Sequence, residues 1–248
     1  MLVLLSLLAT SAPPLYRVHN PVSAERKAEL LRDVKAKVRG IALPLLTFYQ
    51  EDGSVDHAGM TSYVHGMMAD GVVEGKGVIL AVASGGDFPS LSMEERKATA
   101  KTIIDAAHGG VPCFLSVQES HLAATLELAR HAEALGYYGI QVSVPYYWTT
   151  SDSDAVAWFE AVHNATSKVI INLYNTPWEN YDVRSSGTRT ERQANHAAGA
   201  AVHPPSRPPW QMPLEVMQEV AKLERVRVLK FYTDRAPQTF RWAQARQG

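Results

Sequence analysis

One cysteine in 248 residues, Cys113, excludes an internal disulfide and every cysteine-rich zinc site. It lies in the apolar run Cys113-Phe114-Leu115, which marks a core thiol and suits the reducing cytoplasm better than secretion. Charge of one sign is scarce as well. The net charge is -1 and the 24 basic residues form no long run, so the footprint of a nucleic-acid binder is missing. The nine histidines are scattered without a His-Glu-x-x-His or comparable spacing, which leaves a metal centre without its ligands. His65, His121 and His131 fall on helical patterns and read as surface residues. Gly75-Lys76-Gly77 lacks the glycine spacing of a phosphate-binding loop and precedes a strand, so no nucleotide site is supported. Residues 1–8 are apolar but too short to cross a bilayer, and they lack the basic start of a signal peptide. The small residues Ala9-Thr10-Ser11 leave a weak cleavage signal open, against a frayed N-terminal extension.

What is present is an alternation. With 46% hydrophobic residues and about the length of a (β/α)8 barrel, the chain reads as one domain with a sizeable core. From about residue 40, short apolar runs alternate with longer amphipathic ones, the pattern of βα units around a parallel sheet. The runs predict strands over 41–47, 77–82, 113–117, 139–144, 169–174 and 226–231. Helices are predicted over 56–69, from Ser92 to about 107, over 121–135, from Ser151 or Ser153 through Val162, over 214–223 and over 237–245. Ser92 and Glu95 have the capping-box spacing, and Gly136 stands where a helix C-cap should. The count gives about six βα units where a closed barrel needs eight, which predicts a TIM-type barrel truncated at its C-terminus. Residues 1–37 are then an N-terminal extension, and 38–248 a partial barrel. Within it, 182–209 is rich in Arg, Ala, Pro, Ser and Gly without a period and reads as an irregular, disordered or foreign insertion.

Two side chains give this frame a chemistry. Tyr174 heads Tyr174-Asn175-Thr176-Pro177 at the end of the fifth run, and Lys230 closes the sixth, Val226-Arg227-Val228-Leu229. The C-terminal ends of barrel strands are where such folds carry reactive groups, so a phenol and an amine there point to imine chemistry. The plain alternatives are a snorkelling edge lysine and a tyrosine whose hydroxyl finds a backbone partner.

The motifs occur in an order that resembles the dihydrodipicolinate synthase and N-acetylneuraminate lyase family of class I aldolases, over residues 38–236. They are Gly40-Ile41 with Leu46-Thr47-Phe48 and Asp52-Gly53-Ser54-Val55-Asp56, then Ala83-Ser84-Gly85-Gly86-Asp87-Phe88-Pro89 with Leu91-Ser92 and Glu95-Arg96. Pro145-Tyr146-Tyr147, Tyr174-Asn175-Thr176-Pro177 and Val228-Leu229-Lys230 follow.

The resemblance implies a lyase in which Lys230 forms a Schiff base with pyruvate or another 2-oxo acid. Such an enzyme makes or breaks a carbon-carbon bond to an aldehyde, and the covalent imine takes the place of a metal or other cofactor. Attack requires a neutral amine, which burial favours. Tyr174 is implied as general acid/base, Ser84 as proton relay, Gly85 and Gly86 as backbone donors to the substrate carboxylate, and Tyr147 as a tyrosine that reaches a neighbouring subunit in a homo-oligomer. The family's usual Gly-Thr-Thr-Gly-Glu is here Ala83-Ser84-Gly85-Gly86-Asp87, one relay hydroxyl fewer. Trp178-Glu179 stands where the synthases carry a carboxylate-binding arginine, which disfavours lysine biosynthesis and suits a more hydrophobic acceptor. The competing readings are a degenerate, non-catalytic barrel acting as a binding module and a sugar- or organic-acid-binding protein. No nucleic-acid or membrane partner is expected.

Overall fold

The computed structural model describes residues 23–146, 150–175 and 212–231, and across them all six predicted strands form. They are β1 (Ile41–Pro44), β2 (Gly77–Ala81), β3 (Cys113–Ser116), β4 (Gly139–Val142), β5 (Ile170–Asn175) and β6 (Val226–Phe231). Each pairs in parallel with the next, in chain order from β1 to β6. Right-handed βα units produce this order, because every helix returns the chain to start a neighbouring parallel strand. The result is a curled half-barrel, in which β1 and β6 are the edges among the described residues.

The connecting helices are α2 (His57–Ala69), α3 (Met93–Ala107), α4 (Leu122–Leu135), α5 (Asp152–Ala165) and α6 (Leu214–Val220). Their boundaries follow the predicted caps. Ser92 and Glu95 form both halves of the capping box, Ser151 caps α5, and Gly136 ends α4 in the left-handed region at φ 82°. Several strands stop earlier at their C-terminal ends than their apolar runs suggest. β1 ends at Pro44 instead of 47 and β4 at Val142 instead of 144, because the chain there leaves the ladder for the loops. The predicted insertion 182–209 and the helix over 237–245 lie outside the described residues.

Sequence reading missed one element. Residues 24–37 form helix α1 (Ala24–Lys37), with Ser23 as its N-cap. Its apolar side, Leu30 and Val34, packs with Val78, Leu80, Phe114, Ile170 and Val228. Helices α2 to α6 instead share a core with Ile79, Leu115, Ile140, Ile171 and Leu173, the residues alternating with those in the strands. Side chains of a strand alternate between faces, so the two clusters identify a convex, helix-covered face and a concave inner face.

Candidate active site

The inner face changes character along the strands. Toward their N-terminal ends it is apolar, with Val78, Phe114 and Ile170 against α1. One layer on, it carries Ser116, Gln118, Gln141 and Asn172, all buried. Uncompensated burial of an amide costs several kcal/mol, so these groups are bonded to one another. The Asn172 amide donates to Gln141 at 3.5 Å, Gln141 donates to Gln118 at 3.3 Å, and Gln118 donates to the Ser143 hydroxyl at 3.3 Å. Ser116 donates to Gln118 at 2.8 Å.

One layer further stand Tyr174 and Lys230. Tyr174 follows Asn172 by two residues and shares its face. Tyr174 and Lys230 are paired in register on adjacent parallel strands, so their side chains emerge side by side at the C-terminal end of the sheet. The Lys230 Nζ lies 4.1 Å from the centroid of the Tyr174 ring. Tyr174 is 4% exposed and Lys230 is half-buried. The sequence expectation paired the two, and the register brings them into contact. The amine meets the ring face, which is how an ammonium docks on an aromatic ring.

Ser84 and Gly85 sit on the same rim, on the loop that follows β2. A 3-10 turn spans Ser84–Gly86, a second spans Phe88–Ser90, and Ser84 and Gly85 are exposed. Two non-glycine residues flank the first turn in the left-handed region, Val82 at φ 50° and Asp87 at φ 55°. For a β-branched valine that conformation is strained, of the kind that clusters at functional sites. The expectation that Gly86 presents its N–H to a substrate carboxylate is corrected by the geometry. That N–H donates to the Ala83 carbonyl at 2.8 Å, while the Gly86 carbonyl accepts from the Thr47 hydroxyl at 2.7 Å. Gly86 is needed for a different reason: a Cβ there would lie 2.8 Å from the Leu45 carbonyl oxygen. Tyr147 lies outside the described residues.

Sequence reading did not assign three neighbours of this rim, Arg96, Glu119 and Tyr146. Arg96 is 1% exposed, ion-paired with Glu119, and donates to the carbonyls of Ser116 at 3.3 Å and Gln118 at 3.0 Å. Burial pulls the Arg96 guanidinium below its ordinary range, with Glu119 opposing. Burial also raises the Tyr146 phenol, and the nearby Glu119 charge adds to the effect. The usable signal was an arginine inside the apolar face of an amphipathic helix, a position that charged residues take only with a partner. Among the described residues no three His, Cys, Asp or Glu side chains converge as a metal site would need. No helix among them is long and apolar enough to cross a membrane.

Comparison with known proteins places this arrangement. The Dihydrodipicolinate synthetase family matches residues 37–184, more than half of the chain, a span that carries Ser84, Gly85 and Tyr174 and stops before Lys230. The Escherichia coli protein called "Putative 2-dehydro-3-deoxy-D-gluconate aldolase YagE" is 34% identical over 138 residues, 56% of this chain and 44% of that protein. A 4-hydroxy-tetrahydrodipicolinate synthase of Bradyrhizobium diazoefficiens is 32% identical over 143 residues, 58% of this chain and 46% of the relative. This chain thus spans less than half the length of either. The crystal structure of YagE in complex with pyruvate aligns with TM-score 0.53 at 33% identity, over 56% of this chain and 45% of that one. A structure from Pseudomonas aeruginosa, described as a putative dihydrodipicolinate synthetase, shares the fold at TM-score 0.66 and 20% identity, covering 85% of this chain and 62% of its own. A parallel half-barrel with tyrosine and lysine paired at its C-terminal rim, joined to a family match over most of that sheet, makes this chain a member of the dihydrodipicolinate synthetase family.

Proposed function

We propose that this protein is a Schiff-base-forming class I aldolase or lyase that acts on pyruvate or another 2-oxo acid, with Lys230 as the nucleophile. The observation that carries the reading is the register pairing of Lys230 with Tyr174 at the C-terminal rim of the inner face, with Nζ 4.1 Å from the ring centroid. A relative 33% identical over the aligned region is described as bound to pyruvate, and its aldolase name is in keeping with carbon-carbon bond chemistry.

The steps follow from the groups present. The lysine gives up a proton, and its nitrogen attacks the 2-oxo carbon to give a carbinolamine. Tyr174, whose ring faces the amine, passes the proton that converts the departing hydroxyl to water, and an iminium remains. In the cleavage direction, the electrons of the carbon-carbon bond one position away flow into the iminium. The hydroxyl on the departing carbon gives its proton back to Tyr174 as an enamine forms and an aldehyde departs. Protonation of the enamine carbon and hydrolysis by water return the 2-oxo acid and the free amine. Ser84 relays protons from the rim, and the Gly85 N–H receives the substrate carboxylate, since glycine lets an anion approach the backbone. The imine supplies the electron sink without an added cofactor. The buried, single Cys113 suits the cytoplasm, and a homo-oligomer in which Tyr147 approaches a second subunit fits the same reading.

An enamine exchanges the methyl hydrogens of pyruvate with solvent, so the test is proton NMR of pyruvate with this protein in heavy water. Methyl signal loss that disappears in Lys230→Met supports the assignment. Folded protein that exchanges nothing would favour the degenerate, non-catalytic barrel.

A further inference from the structure

We propose that Arg96 is a positioning residue that holds the carboxylate-receiving loop after β2 in place, and so sets a preference for 2-oxo acids over carbonyl compounds without a carboxylate. The inference rests on the imine reading above.

Among the fully buried side chains of the described residues, Arg96 on α3 is the largest. Its guanidinium joins two strand exits directly and a third through Glu119. It bonds to the carbonyls of Ser116 and Gln118 and to Glu119 at the end of β3, and it lies 5.2 Å from the centroid of the Phe88 ring in the loop after β2. Glu119 accepts from the Tyr146 hydroxyl at 3.4 Å, and the Tyr146 ring meets Phe88 edge-on at 5.6 Å, which adds the exit of β4. Stability alone does not account for this residue. The Arg96 Nε is buried without a hydrogen-bond partner, and replacing a buried ion pair with apolar packing is commonly neutral or stabilising.

The loop needs an external hold. Val82 and Asp87, at φ 50° and 55°, flank Ser84–Gly86 in a conformation that costs on the order of 1–3 kcal/mol per residue and persists only when its surroundings enforce it. Two anchors do so. The Thr47 hydroxyl grips the Gly86 carbonyl, and the Arg96 guanidinium lies over the Phe88 ring two residues on. Both anchors act just after Ser84 and Gly85, which are exposed at the rim. If the Arg96 anchor is loosened, the backbone relaxes toward unstrained dihedrals and the Gly85 N–H swings away from its anion. A carbonyl compound with no carboxylate does not use that donor, so its capture at Lys230 is unaffected.

The experiment compares two small carbonyl compounds, pyruvate and acetone, trapped on the whole protein with borohydride and counted by intact mass. Arg96→Lys keeps the charge and loses the planar fork, while Phe88→Leu keeps apolar volume and loses the ring under the cation. At a subsaturating concentration, both variants are expected to trap pyruvate at least tenfold less than wild type and acetone within twofold of it. An unchanged preference for pyruvate in both folded variants overturns the proposal, as does a parallel loss of both adducts. If Arg96→Lys does not fold, Phe88→Leu decides alone. A wild-type protein that traps neither compound removes the imine reading itself, a failure distinct from the loss of the Arg96 role.

Discussion

Replacing Tyr174 with phenylalanine and with leucine separates two roles that one side chain combines. Its ring is 4% exposed and lies 4.1 Å from the Lys230 Nζ, while its hydroxyl is the group proposed to carry protons. Tyr174→Phe leaves the ring, its packing and the cation contact, and removes only the hydroxyl. General acid/base groups contribute about 10²–10⁴-fold, so pyruvate methyl exchange in Tyr174→Phe is expected to slow by that factor, or about 3–5 kcal/mol of barrier. Its stability should move by about 1 kcal/mol, the net worth of one hydrogen bond. Tyr174→Leu also loses the cation-ring contact, about 1–2 kcal/mol in a desolvated setting, and leaves a void, so a total destabilisation of about 2–4 kcal/mol is expected. The assays are the exchange rate at saturating pyruvate and thermal unfolding of each variant. A Tyr174→Phe protein exchanging within threefold of wild type would refute the hydroxyl's role. Equal stability losses in the two variants would refute the ring's.

Two further predictions concern the frame that holds the site. Burial alone would raise the Glu133 carboxyl, but the backbone N–H groups of Lys168, Ser167 and Val169 and the Ser167 hydroxyl outweigh it, and the group sits at about 2 against an ordinary 4.5. A depressed carboxyl contributes stability that is present above 4.5 and lost as the pH falls toward 2. Discounted for solvent around a partly exposed group, Glu133→Gln should cost about 1–2 kcal/mol in urea unfolding at pH 7 and little near pH 2; an equal cost at both would contradict this. Burial pushes the Cys113 thiol up to about 12, so iodoacetamide at pH 8 should label it only in denaturant, and rapid labelling of native protein would place it outside the core.

Strand existence was legible because six apolar runs of strand length recur between amphipathic ones, and β6 begins and ends where its run does. Capping residues located the helix start at Ser92 and narrowed that of α5 to Ser151 or Ser153, of which Ser151 is the cap, for the same local reason. Strand ends were less legible. Whether residues after Pro44 or Val142 stay in the ladder depends on partners distant in sequence, not on their own apolarity. The Lys230–Tyr174 pairing was inferable from two strand-end positions and a family resemblance, but their contact depends on the β5–β6 register, which shifts between Ile171 and Asn172. Gly86 illustrates the opposite case. Its glycine suggested an open N–H, and only the turn geometry reveals that Ala83 takes it. The inner amide chain of Asn172, Gln141 and Gln118 left no local signal, since three polar residues on three strands acquire meaning only once the sheet stacks them.

The most direct test of the account is the position of the covalent adduct. After borohydride reduction with pyruvate, peptide mass mapping should find the reduced pyruvyl group on Lys230, and Lys230→Ala should carry none. An adduct distributed over surface lysines, or one that persists in Lys230→Ala, would contradict the assignment of this amine as the nucleophile.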